Sequence, residues 1–454
     1  MKRCSNPIIA FWMILLMAAA LLLFAGCDEE EDLPGVWEPD DDSGDDDDDG
    51  DDDGDDDDDD DWDPPTCDLQ DIPELDLPDH ESPNVVTLDD VGRMSVNGTV
   101  MFPFGFYAMG GWPDSLDEIA QSGLNNGQIY TGCCNGGTLQ TQTDFINACE
   151  DAGIFAWIHG ISPHDLVHTE PRPQLNEWIA ARAELPGLLM WYTFDEPGLW
   201  GYDPEYVQAE HDLLQEEDPN HPTSLVMMAS VPYETYIDQC NVFMVDPYPI
   251  PFMPIGLVSA QVQAAVETAE GRGENGDDKP VWAVVQAFDW QEMWGTKPPE
   301  EPWRPTTEEM RSMTYQAIAA GAQGVVYFAH YRVSASTEWE GFKLMAQEVS
   351  ALSSVWLSDT IPGPNLLVSD PETTSIVYRL FDYGDRYYLL AVNNGITSTY
   401  ATFDISSLGD NPCAIDVFDT EVREIDQDGV FSEQFPYMAT RLYQITDEAK
   451  GGCR

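Results

Sequence analysis

An α/β chain folded as a (β/α)8 TIM barrel, followed by a small C-terminal antiparallel β-sandwich, is the architecture this sequence predicts. Three observations carry that expectation. Short apolar runs alternate with amphipathic stretches eight times between about Val91 and Asp359. One of those runs, Leu188 to Pro197, reads LLMWYTFDEP and stops abruptly at two adjacent carboxylates and a proline. After Pro362-Gly363-Pro364 the pattern changes to strands alone.

The chain begins with Lys2 and Arg3, an apolar stretch from Pro7 to Phe24, and then Ala25-Gly26-Cys27. A basic start, an apolar run and small residues at its end make a secretory signal. FAGC resembles a bacterial lipoprotein lipobox, in which Cys27 becomes the lipidated first residue, although Phe24 stands where Leu is usual. An uncleaved anchor is the competing reading, since about 18 apolar residues could just span a bilayer. The Cys at the end of the run favours the lipoprotein. Either way the rest of the chain is expected outside the cytoplasm, in the cell envelope, on a membrane anchor.

Residues 28–66 are expected to be an acidic tether. Asp40 to Asp61 is nearly solid Asp, with no apolar surface to bury and strong self-repulsion, so extended disorder is expected. Asp45, Asp47, Asp49 and Gly50 match the opening of a calcium loop, but a poly-Asp run does so trivially, and Asp56 stands where Glu would close it. Formal net charge is −67, from 18 Lys and Arg against 85 Asp and Glu. From Pro64 onward about 60 acidic side chains still face about 16 basic ones, which excludes nucleic acid and anionic lipid as basic-patch partners and favours a neutral or cationic one. After Cys27 come Cys67, Cys133, Cys134, Cys149, Cys240, Cys413 and Cys453, in no zinc-ribbon or CxxC spacing. One or two disulfides are expected outside the cytoplasm, with Cys149 a partner for Cys133 or Cys134. An odd total leaves a thiol free, with Cys240 the candidate.

Residues 67–361 are assigned to the barrel and 362–454 to the sandwich. The barrel strands are expected within Phe102–Met109, Leu124–Tyr130, Gly153–Gly160, Leu188–Glu196, Thr223–Ser230, Asn241–Tyr248, Pro280–Phe288 and Gly324–His330. Helices are expected around Ser115–Gln121, Gln142–Asp151, Leu175–Glu184, Pro204–Glu216, Pro232–Asp238, Val258–Glu270, Thr306–Ala320 and Phe342–Leu357. Thr306-Thr307-Glu308-Glu309 is a capping box, and Asp203-Pro204 is a good helix start. A doubly wound open sheet would want a Gly-rich phosphate loop after its first strand, and Phe104-Gly105-Phe106-Tyr107 is not one. The tail strands are expected at Ser375–Phe381, Tyr387–Asn393, Tyr400–Ile405, Ala414–Phe418, Val422–Glu424 and Met438–Tyr443.

In such a barrel all eight strands end at one mouth, where barrel enzymes keep their chemistry. The first strand brings Tyr107 and Met109, the third Trp157 and His159, and the fourth Asp195 and Glu196. The sixth brings Asp246 and Tyr248, the seventh Gln286, Asp289 and Trp290, and the eighth His330 and Tyr331. Trp112, Trp200, Trp294, Trp303 and Trp339 lie in adjoining loops. Carboxyls framed by rings suit a carbohydrate, whose C–H faces stack on aromatics while its hydroxyls find acceptors at the rim. A carboxyl half-enclosed by rings can also stay protonated near neutral pH and donate. Trp157 and Trp191 read equally as sugar platforms or as packing layers. His159, His164 and His168 lack flanking carboxylates at ligand spacing and read as substrate-contacting or solvated rather than as a metal site. No metal or cofactor is required.

Val96-Asn97-Gly98-Thr99 followed by Phe102-Pro103-Phe104-Gly105 resembles the approach to the first strand of clan-A glycoside hydrolases of the β-galactosidase and cellulase kind. Trp191 to Pro197 resembles their fourth strand, and Asp218-Pro219-Asn220-His221-Pro222-Thr223 is similar to a segment that recurs before their fifth. The resemblance covers Val91 to Asp359 and implies Glu196 as general acid/base. Asp195 replaces the Asn that holds the sugar 2-hydroxyl in that family, and Gln286 stands where its nucleophilic Glu would. The second carboxylate is then Asp246, Asp289 or Glu292, with Glu196 and Asp246 the leading pair, and Asp195, Tyr248, Gln286, Trp157, Trp191, Asp289, Tyr107 and His159 contacting substrate. The resulting expectation is an exported, lipid-anchored glycoside hydrolase acting on a neutral oligo- or polysaccharide. A non-catalytic glycan-binding lipoprotein and a structural envelope protein are the alternatives.

Overall fold

The computed structural model describes residues 72–73, 75–129, 139–161, 166–229, 231–291, 304–368, 376–410 and 412–447. The signal segment with Cys27, the acidic tether, Cys67, Cys133, Cys134, His164, Glu292, Trp294, Trp303 and Cys453 lie outside the described residues.

A short antiparallel meander comes first: β1 (Val86–Leu88), β2 (Met94–Val96) and β3 (Thr99–Met101). Asn97 and Gly98, at φ 52° and 84°, make the two-residue turn between β2 and β3. Both positions need a left-handed backbone, which Asn and Gly accept most readily. Val86, Met94, Val96 and Met101 pack into the same core as Phe155, Val242 and Trp282. The meander therefore closes the end of the barrel at which strands begin.

The barrel follows as β4 (Phe104–Tyr107), β5 (Asn126–Gln128), β6 (Phe155–His159), β7 (Leu188–Asp195), β8 (Thr223–Met227), β9 (Val242–Val245), β10 (Val281–Gln286) and β11 (Gly324–Phe328). Each pairs in parallel with the next, and β11 returns to β4, closing the barrel. Every strand falls inside one of the eight expected runs. The runs are apolar throughout because helices cover the outside while side chains fill the inside.

Seven of the eight intervening helical stretches are α-helical over most of their expected lengths. The capping box forms: Thr306 Oγ1 accepts from Glu309 N at 3.2 Å while Glu309 accepts from Thr306 N at 2.8 Å. Asp203 likewise caps its helix by accepting from Glu205 N at 3.0 Å. The exception is Pro232–Asp238, where two 3-10 turns, Tyr233–Thr235 and Ile237–Gln239, replace the expected helix. The segment is pinned between extended Pro232 and extended Cys240, too short a span to repay α-helix nucleation.

Beyond the barrel, β12 (Asp359–Ile361), β14 (Ile376–Asp382), β15 (Tyr387–Asn393), β20 (Thr440–Asp447), β17 (Pro412–Asp416) and β18 (Val422–Arg423) form one sheet in that order. The facing sheet holds β13 (Asn365–Val368), β16 (Thr399–Asp404) and β19 (Val430–Phe435). This is the expected sandwich, with β12, β13 and β19 in addition. β19 reads VFSEQF and buries only Phe431 and Phe435, a weak apolar signal. The sandwich packs on the barrel through Trp356 against Phe381 and Tyr315 against Phe418. The helix Thr307–Ala320 is buried on nearly every face because it lies between barrel strands and sandwich.

Cys149 and Cys240 are free and buried, and Cys413 is disulfide-bonded. The expected pairing of Cys149 with Cys133 or Cys134 is therefore corrected. Cys149 lies on the buried face of its helix with Phe145 and Ile146, where it serves as a small apolar side chain.

Candidate active site

The fourth barrel strand does not alternate regularly. Trp191 and Tyr192 pair with Thr223 and Ser224, but the next partners are Asp195 and Val226, so β7 carries one extra residue there. Tyr192 points into the barrel, and strict alternation would send Phe194 in after it. Instead Phe194 packs outward on Tyr202 and Tyr206, and Asp195 turns inward. A bulge re-aims side chains in this way. Glu196 then leaves the strand at φ 45° and ψ 57°, a left-handed conformation that a non-glycine residue adopts only at a cost. Its backbone N–H still donates to Val226 O at 3.0 Å. The bulge and the turn together let two consecutive carboxyls face one cavity.

Across the mouth, Asp246 follows β9 directly and is 7% exposed. The Glu196 and Asp246 carboxyl groups share a hydrogen bond. Burial first, then the Asp246 and Asp195 charges, holds Glu196 well above the ordinary carboxylate range. Burial and Asp195 push Asp246 upward as well, while hydrogen bonding from Glu196 and Tyr248 pulls it back. Both carboxyls are held above the ordinary carboxylate range, so the two contend for protons and titrate as one unit. Asp195 is pushed up to about 6 by burial, against the hydrogen bond it accepts from Tyr107.

Tyrosines surround the trio. Tyr107 Oη donates to Asp195 Oδ1 at 3.0 Å, and Tyr192 Oη reaches the same oxygen at 3.2 Å. The two hydroxyls lie 2.8 Å apart. Tyr248 is set against Phe288, Trp290 and Phe328, with ring centroids 5.0, 6.2 and 6.1 Å away. Tyr233, on the first 3-10 turn after β8, rests edge-on against Phe243 and feels the Asp246 charge. No ion pair to a lysine, arginine or histidine reaches any of the three carboxyls among the described residues. No three His, Cys, Asp or Glu side chains among those residues are placed to share a metal ion.

Several expected contacts lie elsewhere. Trp191 is fully buried on the outside of the barrel, where its indole donates to Asp218 Oδ2 at 2.8 Å and Arg182 covers its ring. Trp157 is fully buried inside, beneath Tyr107, with which it stacks at 5.4 Å and 14°. Both are packing layers, and the sugar-platform reading of them is corrected. Gln286 is also fully buried: its oxygen accepts from Ile250 N at 3.0 Å and its nitrogen donates to Ile250 O at 2.8 Å. With both amide ends engaged on the loop after β9, Gln286 holds that loop rather than a sugar, a further correction.

Asp289 is buried and accepts from Gln291 N at 2.8 Å, a turn contact rather than a partner of Glu196. His159 is buried at the end of β6 with its ring 4.8 Å from Tyr192. Trp200, at the end of the short helix Pro197–Trp200 that Glu196 precedes, is 55% exposed and presents an open ring beside the mouth. Tyr192 and Tyr233 were not among the expected site residues. Tyr192 is one more aromatic in an apolar run, and Tyr233 lies in a segment read as an outer helix. A cavity of about 430 Å³ around Arg379 lies apart from the cluster, between the sandwich and the end of the helix Thr307–Ala320, at the side where barrel strands begin.

The chain matches no known protein-family profile and no curated protein. Among solved structures it is similar to a family 5 glycoside hydrolase from Bacteroides vulgatus, at 14% identity and TM-score 0.54, over 82% of this chain and 95% of that one. It is also similar to an α-amylase from Geobacillus thermoleovorans, seen in complex with acarbose, at 9% identity and TM-score 0.51, over 76% and 98%. A family 39 glycoside hydrolase from Bacteroides cellulosilyticus matches at 10% identity and TM-score 0.50, over 80% and 82%. At these identities the likeness is one of fold alone: a TIM barrel.

Proposed function

We propose that this protein hydrolyses glycosidic bonds, with Glu196 as general acid/base and Asp246 as the second carboxylate. One observation carries the reading: two carboxyls meet at a barrel mouth, and burial with the neighbouring Asp246 and Asp195 charges holds Glu196 well above the ordinary carboxylate range. Glycoside hydrolysis needs an acid that is protonated near neutral pH and a carboxylate beside it. Burial supplies the first and the acid's own hydrogen bond supports the second.

The contact also bears on stereochemistry. Inverting enzymes keep their carboxyls about 6.5–9.5 Å apart to admit a water between them, whereas retaining ones stand about 5–5.5 Å apart. Glu196 and Asp246 stand close enough to shift one another's titration, nearer to the retaining arrangement than to the inverting one. Glu196 gives its proton to the leaving oxygen as Asp246 attacks the anomeric carbon and forms a glycosyl ester. Glu196 then takes a proton from the incoming water, which displaces Asp246. Tyr248 steadies Asp246, and Tyr107 and Tyr192 hold Asp195. Export on a lipidated Cys27, with the acidic segment as tether, completes the proposal, and mass spectrometry of the mature N-terminus checks it.

A non-catalytic glycan-binding barrel is the second reading, favoured by Gln286 standing where a nucleophile would be expected. Turnover of an oligosaccharide panel by wild type and by Glu196→Gln separates the two. Hydrolysis lost in the variant upholds the enzyme. Glycan affinity without hydrolysis in either protein upholds the binder.

A further inference from the structure

Three carboxyls converge at this mouth, and among the described residues no lysine, arginine or histidine forms an ion pair with them. Glu196 and Asp246 contend for protons beside Asp195, so the trio gathers negative charge in a partly buried place. Tyrosine hydroxyls surround them, and hydroxyls stabilise a carboxylate without neutralising it. Two further groups point to an absent ligand. Asp246 Oδ1 and Tyr233 Oη are both buried and have no hydrogen-bond partner, and both residues are 7% exposed. An unmatched acceptor and an unmatched hydroxyl at one carboxylate are costly to keep unless something pairs with them. Elsewhere a buried acid does meet a cation: Arg311 pairs with Glu348 at 2.8 Å.

We propose that the substrate itself brings a cation to this cluster: the sugar bound beside Glu196 carries a protonated amine, as in a de-N-acetylated, β- or α-linked amino-sugar polymer. This rests on the hydrolase reading above and narrows its substrate. In common 2-amino sugars the ammonium is on the carbon next to the anomeric carbon. A carboxyl that acts on the glycosidic bond and one that receives the ammonium must then be near neighbours, as Glu196 and Asp195 are. Asp195 already accepts from Tyr107 and Tyr192 on Oδ1, leaving Oδ2 as the acceptor for the amine. The ammonium also favours the ionised form of Asp246, the form that attacks, so a cationic substrate prepares its own nucleophile. An anionic sugar would add a like charge to the cluster. An ammonium donor suits it better than a metal ion, since no three ligating side chains are placed to share one among the described residues.

The test compares kcat/KM of the full chain on matched oligosaccharides of glucosamine, N-acetylglucosamine and glucose in both anomeric linkages. At least a tenfold preference for the amine is expected, falling several-fold between 50 and 500 mM salt while any neutral-sugar rate stays level. Asp195→Asn should shrink the preference towards unity. Hydrolysis of neutral sugars at equal or greater rate overturns the inference and leaves the hydrolase standing. Calorimetry with Glu196→Gln covers the remaining case. Amine oligomers bound but uncleaved even by wild type uphold the ligand class and overturn the enzyme, and neither binding nor cleavage of any of them overturns both.

Discussion

Two acidic clusters in this chain, each built around one buried aspartate, have opposite construction. In the sandwich, Asp416 is fully buried and meets Arg423 at 3.1 Å and Arg441 at 3.4 Å. Glu433 beside it takes Arg423 at 2.8 Å, Arg441 at 3.1 Å and the Tyr443 hydroxyl at 2.6 Å. At the barrel mouth, Asp195, Glu196 and Asp246 have one another and tyrosines. Burial raises Asp416 to about 6, as far as it raises Asp195, so desolvation does not distinguish the clusters. Partners do. A buried acid matched by guanidiniums belongs to the architecture, and breaking it leaves an unpaired charge. Acids drawn together with no cation beside them among the described residues weaken the fold, which is the arrangement expected of a functional site.

The sharpest way to break that contrast is to neutralise the mouth. Glu196→Gln should lower kcat/KM by about 10³-fold or more, about 4 kcal/mol of transition-state stabilisation. Asp246→Asn should do the same, and the double variant should lose little further because the pair acts as a unit. Retained turnover in either single variant would remove that residue from the chemistry. In the sandwich the effect should fall on stability instead. Arg423→Met should cost about 3 kcal/mol in denaturant unfolding, with kcat and KM unchanged.

Stability should answer in the opposite direction at the mouth. A carboxyl with its folded pKa above its unfolded value binds protons preferentially in the folded state, so stability falls as pH rises between the two values. For Asp195 that window runs from 3.8 to about 6. Asp246→Asn, which lowers the charge in the cluster, should raise Tm by about 2–5 °C at pH 7.5 and by nothing near pH 3.5. An equal or lower Tm at pH 7.5 would mean the cluster is compensated after all. Trp191→Phe, which removes the indole hydrogen bond to Asp218, should cost about 1 kcal/mol and leave KM alone. The smallest effect is expected of Tyr107→Phe. Without that hydroxyl Asp195 titrates at higher pH, moving the acidic limb of the rate profile upward and costing about threefold in rate near pH 6.

Much of the barrel was legible because its cause is local. Eight apolar runs must be buried, and helices with their own caps at Thr306 and Asp203 must cover them. The stretch Pro232–Asp238 was misread because residue periodicity says nothing of the chain geometry at its ends. Site residues fared unevenly for the same reason. Asp246 follows a strand end directly and could be paired with Glu196 on position alone. Trp157 and Trp191 read equally as platforms or packing and Gln286 was placed by its match to a family position, but what each side chain touches depends on register.

Composition, strand count, the order of barrel and sandwich, and the presence of acids at strand ends are properties of the sequence by itself, since hydrophobic period and turn chemistry act over a few residues. Only the tertiary structure decided that Asp195 turns inward at a bulge, that Glu196 rotates through a left-handed turn to meet Asp246, and that Tyr192 and Tyr233 join them. Those facts depend on pairing between residues far apart in the chain, and a shift of one position in that pairing reverses which side chains see the cavity.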